Sequence, residues 1–110
     1  MSVNEDSQKA RHLLDELAKV GRTITYREMA QRLGLSGPKQ IARLSSILED
    51  VMSEDVEKGR PLRAALVVSR LTPHLPRPGF FAHARRLGVL SDEDPATYHQ
   101  SMLDAVKREN

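Results

Sequence analysis

The 110-residue sequence contains no cysteine. It therefore has no disulfide, no thiol nucleophile and no cysteine-ligated zinc site. No apolar run approaches the roughly 20 residues that a membrane-spanning helix needs. The polar, acidic residues 1–6 have neither the basic nor the apolar region of a signal peptide. These absences predict a cytoplasmic protein that does not associate with membranes.

Length and composition fit a single globular domain. Hydrophobic residues make up 39% of the chain and charged residues 29%, a balance typical of folded rather than disordered proteins. We expect one domain over residues 1–110, with residues 1–6 disordered and residues 91–110 forming an accessory helix.

Carboxylates are missing from residues 58–90, which carry seven basic side chains. Residues 21–43 also form a basic segment, with five basic residues against one acid, whereas residues 44–57 hold five acids and no base. A fold that gathers the two basic segments on one face would create a surface for phosphate binding. An unevenly charged, solvated surface explains the same pattern.

Hydrophobic periodicity predicts a mainly α-helical chain. Thr25 is the predicted N-cap of the second helix, where Glu28 completes a capping box, and Pro38 suits the first position of the third. The apolar residues 64–68 indicate a buried strand. We therefore expect a winged helix-turn-helix fold with four to five helices and a small β-hairpin or wing. The predicted helices cover about 7–19, a segment from the Thr25 cap to Leu33, a segment from Pro38 to the break at residues 57–61, a short segment ending at Gly88, and 95–107.

The start of the third helix has the composition of a DNA-reading helix. Small residues such as Ser36 let the backbone approach a phosphate. Lys39, Gln40 and Arg43 lie opposite the apolar stripe, where they would meet base edges or phosphates in the major groove. A solvated face on a small helical bundle is the alternative.

A proline-rich basic loop over residues 71–79 lies at the position of a wing, and prolines reduce the entropy lost on binding. An ordinary surface loop is the alternative here. Several arginines are predicted to neutralise DNA phosphates, and they include two beside or within this loop. They are Arg27, Arg32, Arg60, Arg63, Arg70 and Arg77.

No complete catalytic set occurs in the sequence. The four histidines form no HxxxH or HExxH pair, and neither a GxSxG nor an SxxK motif is present. The acidic residues 49–57 look like a solvated helix end. We therefore expect no metal, no cofactor and no enzymatic activity.

Residues 24–81 resemble the DNA-binding domain of the methylguanine-DNA methyltransferases and their alkyltransferase-like relatives. In that family a motif like VTYGE[IL]A opens the second helix, and here it is ITYREMA, Ile24–Ala30. A motif close to PRAVG opens the recognition helix, and here it is PKQIA, Pro38–Ala42. The motif NPxPxLIPCHRV carries the family's reactive cysteine, and its nearest match is RPLRAALVVSR, Arg60–Arg70.

The resemblance implies roles for individual residues. Tyr26 matches the tyrosine that presses on the target phosphate, although we expect its ring to lie in the core with its hydroxyl outward. Lys39 matches the arginine that fills the gap left by a flipped base. Ser69 stands where the cysteine would be, with no histidine after it. Because an unactivated hydroxyl accepts alkyl groups poorly, alkyl transfer is excluded.

The main hypothesis is a non-enzymatic protein that binds double-stranded DNA, such as a transcriptional regulator of a bacterium or phage. One alternative is an alkyltransferase-like sensor of DNA damage without repair activity. Another is a protein-interaction adaptor on the same fold, whose partner or second copy would contact the acidic end of the third helix and the last helix.

Overall fold

Five amphipathic segments of the chain form α-helices in the computed structural model, which describes residues 3–71 and 74–109. The mainly helical class predicted from the periodicity is confirmed. Between the helices lie one 3-10 turn, Arg63–Leu66, and two strands of two residues each. The helices are α1 (Val3–Lys19), α2 (Tyr26–Arg32), α3 (Gln40–Glu57), α4 (Pro78–Arg86) and α5 (Pro95–Glu109), and the strands are β1 (Ile24–Thr25) and β2 (Val67–Val68).

Helix α1 begins at Val3, four residues before the predicted start. Residues 3–6, expected to be disordered, are therefore helical, while Met1 and Ser2 lie outside the described residues. The apolar stripe predicted for this helix is Ala10, Leu13, Leu14, Leu17 and Ala18. Ala10, Leu14 and Ala18 are buried, and Leu13 and Leu17 are partly buried against the same core.

Helices α2 and α3 follow each other through a turn that contains two glycines with positive φ, Gly34 and Gly37. Thr25 caps α2 as predicted, because its Oγ1 accepts a hydrogen bond of 3.1 Å from the backbone N–H of Glu28. Helix α3 begins at Gln40 rather than at Pro38. Its N-cap, Lys39, provides no side-chain hydrogen bond to the first turn.

The two strands form a parallel pair, with Ile24 opposite Val67 and Thr25 opposite Val68. The strand predicted over residues 64–68 is wrong for its first three residues, which belong to the 3-10 turn. No β-hairpin occurs in the part of the chain that the structure describes, since its sheet consists of this parallel pair. A short apolar run fits either a strand or a tight turn, and here packing selects the turn.

All five helices contribute buried side chains to one apolar cluster. Helix α5 packs on the 3-10 turn, where the buried His99 Nε2–H donates a 2.8 Å hydrogen bond to the carbonyl oxygen of Ala65. Phe80 contacts Phe81 edge to face and lies 6.5 Å from the ring of Tyr98. Across residues 3–71 and 74–109, every helix is too short or too polar to cross a membrane.

Candidate functional site

A cleft of about 280 Å³ opens where β1, the start of α3 and the segment after β2 meet. Three arginines line it, Arg27, Arg70 and Arg77, together with Tyr26 and Ser69. No carboxylate is among the described residues that line this cleft. Three guanidinium groups without a local counter-charge create a positive potential, which favours an anionic ligand.

The parallel register explains why two of these arginines meet. The carboxyl ends of parallel strands lie at the same edge of a sheet, and Thr25 pairs with Val68. Arg27 and Arg70 each follow their strand by two residues, so they leave the sheet from the same edge. A basic residue from each of the two basic segments therefore reaches the cleft.

Tyr26 attaches the third arginine to this edge. Its hydroxyl oxygen accepts a 3.0 Å hydrogen bond from the backbone N–H of Arg77, and the Arg77 guanidinium carbon lies 5.9 Å from the ring centroid, within cation–π range. Burial raises the pKa of Tyr26, against the smaller lowering from the hydrogen bond and charge of Arg77. The phenol therefore stays neutral, and its ring, 7% exposed, lies in the core as expected. The hydroxyl is engaged with the loop rather than directed outward.

The basic loop is closed at its base by hydrogen bonds of its own. The Ser69 N–H donates to the carbonyl oxygen of Leu75 over 2.7 Å, and the Leu71 N–H donates to Ser69 Oγ over 3.1 Å. Thr72 and Pro73, part of the predicted wing, lie outside the described residues. Ser69, at the position that resembles the family's reactive cysteine, therefore acts here as a loop-closing residue at the cleft.

The predicted groove-reading residues lie at the start of α3, next to the cleft. Ser36 and Lys39 are exposed, and Gln40 is half-buried. The neighbouring Ile41 lines the cleft itself, so the first turn of α3 reaches the cleft. Arg43, one turn further, is exposed and lies 3.8 Å from the Asp6 carboxylate of α1.

Two predicted phosphate contacts lie away from this surface. Arg32 forms an i,i+4 ion pair with Glu28 and borders a separate hollow against α1. Arg60 donates a 3.2 Å hydrogen bond from Nε to Glu109, at the end of α5. The charge map in the sequence therefore overestimated how many arginines gather at one place.

The prediction that Arg63 contacts phosphate is wrong, because its side chain is only 3% exposed. Its guanidinium contacts three carboxylates, with Nη2 2.8 Å from Asp55 Oδ1 and Nη1 3.2 Å from Asp15 Oδ1. Burial lowers the pKa of Arg63 because it disfavours the charged guanidinium. The hydrogen bonds and charges of Asp55 and Asp15 outweigh this effect, so the pKa of Arg63 is raised overall. Arg63 thus joins α1, α3 and the 3-10 turn as a structural residue.

Sequence reasoning missed a serine–histidine contact between α3 and α4. Ser53 Oγ lies 3.2 Å from His83 Nε2, and Glu49 lies 3.9 Å from His83 Nδ1, a set that resembles a hydrolase triad. However, Arg86 Nη2 is 3.1 Å from the same Nδ1. A guanidinium can only donate, so Nδ1 accepts and Nε2 carries the proton. The imidazole in this arrangement donates to Ser53 and cannot take its proton.

The described residues hold no group of three or more histidine or acidic side chains that could bind a metal ion. The positions of the four histidines are spread along the chain, and His12 Nε2 lies 3.8 Å from Glu16 Oε1 on the same helix. The cleft is therefore the candidate site.

Comparisons with known proteins return no match to a family model, to a curated protein or to a solved structure. The similarity of residues 24–81 to the alkyltransferases thus stays a prediction from three motifs. Any functional assignment depends on the geometry and charge of the cleft.

Proposed function

We propose that this chain is a non-enzymatic protein that binds double-stranded DNA in a regulatory role. In this proposal α2 and α3 act as a helix-turn-helix, and the described parts of the loop between β2 and α4, residues 69–71 and 74–77, act as the wing. The observation that carries it is the convergence of Arg27, Arg70 and Arg77 on a cleft that no described carboxylate lines. Arginine suits this role because its planar guanidinium binds phosphate in a bidentate manner.

The adjoining helix supplies the second element of the proposed interface. The first turn of α3 reaches the cleft through Ile41, and its N-cap, Lys39, makes no side-chain hydrogen bond to that turn. The N-terminus of a helix favours a nearby phosphate. With this turn in the major groove, the cleft would hold the backbone that flanks it.

A salt titration tests the electrostatic part of this proposal. If Lys39 and the three cleft arginines each neutralise one phosphate, log K should fall against log salt with a slope of about −3.6. Affinity for a mixed duplex pool should then drop about 150-fold between roughly 50 and 200 mM salt. Fluorescence anisotropy of labelled duplexes measures both quantities.

A matched pair of variants links that slope to the cleft. Replacing all three cleft arginines by glutamine should reduce the slope to about −0.9, since one phosphate contact remains. The control removes three other exposed charges, through Arg85→Gln, Lys107→Gln and Arg108→Gln. Equal effects of the two triple variants, or no binding by the wild-type protein at low salt, would contradict the proposal.

One observation favours a second candidate, the sensor of alkylated DNA. Ser69 and Tyr26, which resemble the family's reactive and phosphate-pressing residues in their motifs, line the same cleft. A flipped base needs such a hollow beside the DNA-reading helix. Preference for a duplex with one alkylated guanine over the same unmodified duplex would favour the sensor, and equal affinity would favour the regulator.

A further inference from the structure

Leu71 is an apolar side chain in the most polar part of the cleft. It is 87% exposed, more than the other large exposed hydrophobics in the described part of the chain, Val20 at 66% and Val89 at 38%. It lines the cleft directly after Arg70. A single exposed leucine is common on protein surfaces, but this one lies among three arginines that attract an anionic ligand.

The backbone around Leu71 is restrained. Its N–H donates to Ser69 Oγ, and the Ser69 N–H donates to Leu75 O, which closes the loop. The far end of the loop is attached to the core through the hydrogen bond between Arg77 and Tyr26. These hydrogen bonds place the backbone N–H of Leu71 beside Ser69 at the cleft, while its side chain stays open to solvent.

We propose that Leu71 is a wedge that enters the minor groove and inserts between two base steps of bound DNA. The inference rests on the proposed DNA-binding function and adds to it a deformation of the duplex. Proteins that kink DNA insert apolar side chains in this way, with bends of roughly 20–90°. Here Arg70 and Arg77 would neutralise the phosphates on either side, while Leu71 supplies the apolar surface that replaces the lost stacking.

Two fluorescence readouts test the wedge on a duplex of about 24 base pairs, a little over two helical turns. Energy transfer between dyes at its two ends reports bending, and a series of duplexes with single 2-aminopurine substitutions reports unstacking. The wild-type protein should increase end-to-end energy transfer and brighten 2-aminopurine at one or two adjacent positions. Binding without either change would overturn the wedge and leave the DNA-binding proposal intact.

Variants separate the wedge from the charges beside it. Leu71→Ala should lose at least half of the bend and the 2-aminopurine signal, with an unchanged salt slope because no charge is removed. Arg70→Gln should keep the 2-aminopurine signal and lose about 0.9 from the slope. Leu71→Met should retain the bend, since methionine also serves as a wedge.

The control is Val20→Ala, which removes an exposed apolar side chain that is distant from Leu71 in the sequence. This variant should bend DNA as the wild-type protein does. If Leu71→Ala keeps the bend, or if it changes only self-association in sedimentation, the wedge is refuted and a protein contact is favoured. If the wild-type protein binds no duplex at low salt, the proposed function itself fails.

Discussion

Removing the buried guanidinium of Arg63 should destabilise the fold strongly. Asp55 is 0% exposed and forms both a 2.8 Å ion pair with the Arg63 side chain and a 3.0 Å hydrogen bond with its backbone N–H. Arg63→Met leaves that carboxylate buried without its counter-charge. Breaking a buried ion pair costs about 3–5 kcal/mol, a large part of the roughly 5–15 kcal/mol that stabilises a domain.

Urea denaturation followed by far-ultraviolet circular dichroism measures this loss. With a slope of about 1.5 kcal/mol per molar urea, the midpoint should fall by about 2–3 M. The melting temperature should fall by roughly 15 °C. The control is Arg32→Ala, which breaks the exposed pair with Glu28 and should cost at most about 0.5 kcal/mol.

A second variant separates lost charge balance from lost packing. Adding Asp55→Asn to Arg63→Met neutralises the isolated carboxylate and keeps an oxygen that accepts from the backbone N–H of residue 63. The double variant should therefore be more stable than Arg63→Met alone. A loss below about 1 kcal/mol for Arg63→Met would refute the structural role of Arg63.

Two further substitutions and a change of pH should each lower the stability of the fold. Thr25→Ala removes the cap on the N–H of Glu28 and should cost about 1 kcal/mol in urea denaturation, whereas Thr25→Ser should cost little. Burial lowers the pKa of His99, against the raising effect of its hydrogen bond to a carbonyl. The unfolded state therefore binds the proton first, and stability should fall as the pH drops below about 6.5, by at most about 1.4 kcal/mol per pH unit. His99→Gln should flatten that part of the pH profile, and an unchanged profile would contradict it. Tyr26→Phe leaves the N–H of Arg77 without its acceptor and should cost about 1–3 kcal/mol. Tyr26→Phe should also lower the affinity for DNA, with little change in the slope of log K against log salt, because it removes no cation.

The helices could be predicted from the sequence because each buries a stripe with a period near 3.6 residues. The N-cap at Thr25 was predictable too, since its hydrogen bond is local. The 3-10 turn was not, because an apolar run has no period that separates a buried turn from a buried strand. The parallel pairing of Ile24 with Val67 depends on packing between distant segments, which no local pattern encodes.

The candidate site, like the fold, has features that the sequence could predict and others that depend on tertiary contacts. The composition of the two basic segments predicted that arginines would form an anion-binding surface. Which groups each arginine contacts, however, is set by tertiary packing. Arg63 looks like Arg70 in the sequence, yet three carboxylates from α1 and α3 surround the first and none lines the cleft beside the second. The contact between Ser53 and His83, 30 positions apart, was likewise invisible to motif searches.

The pairing of β1 with β2 makes the arginine cleft depend on a long-range contact. These strands lie about 40 residues apart, and contacts between distant segments form only after their loop-closure entropy has been overcome. A nascent or partly unfolded chain therefore carries all its arginines but lacks the cleft that groups them. Ligand affinity should consequently report complete folding, because a chain with unpaired strands leaves Arg27, Arg70 and Arg77 ungrouped.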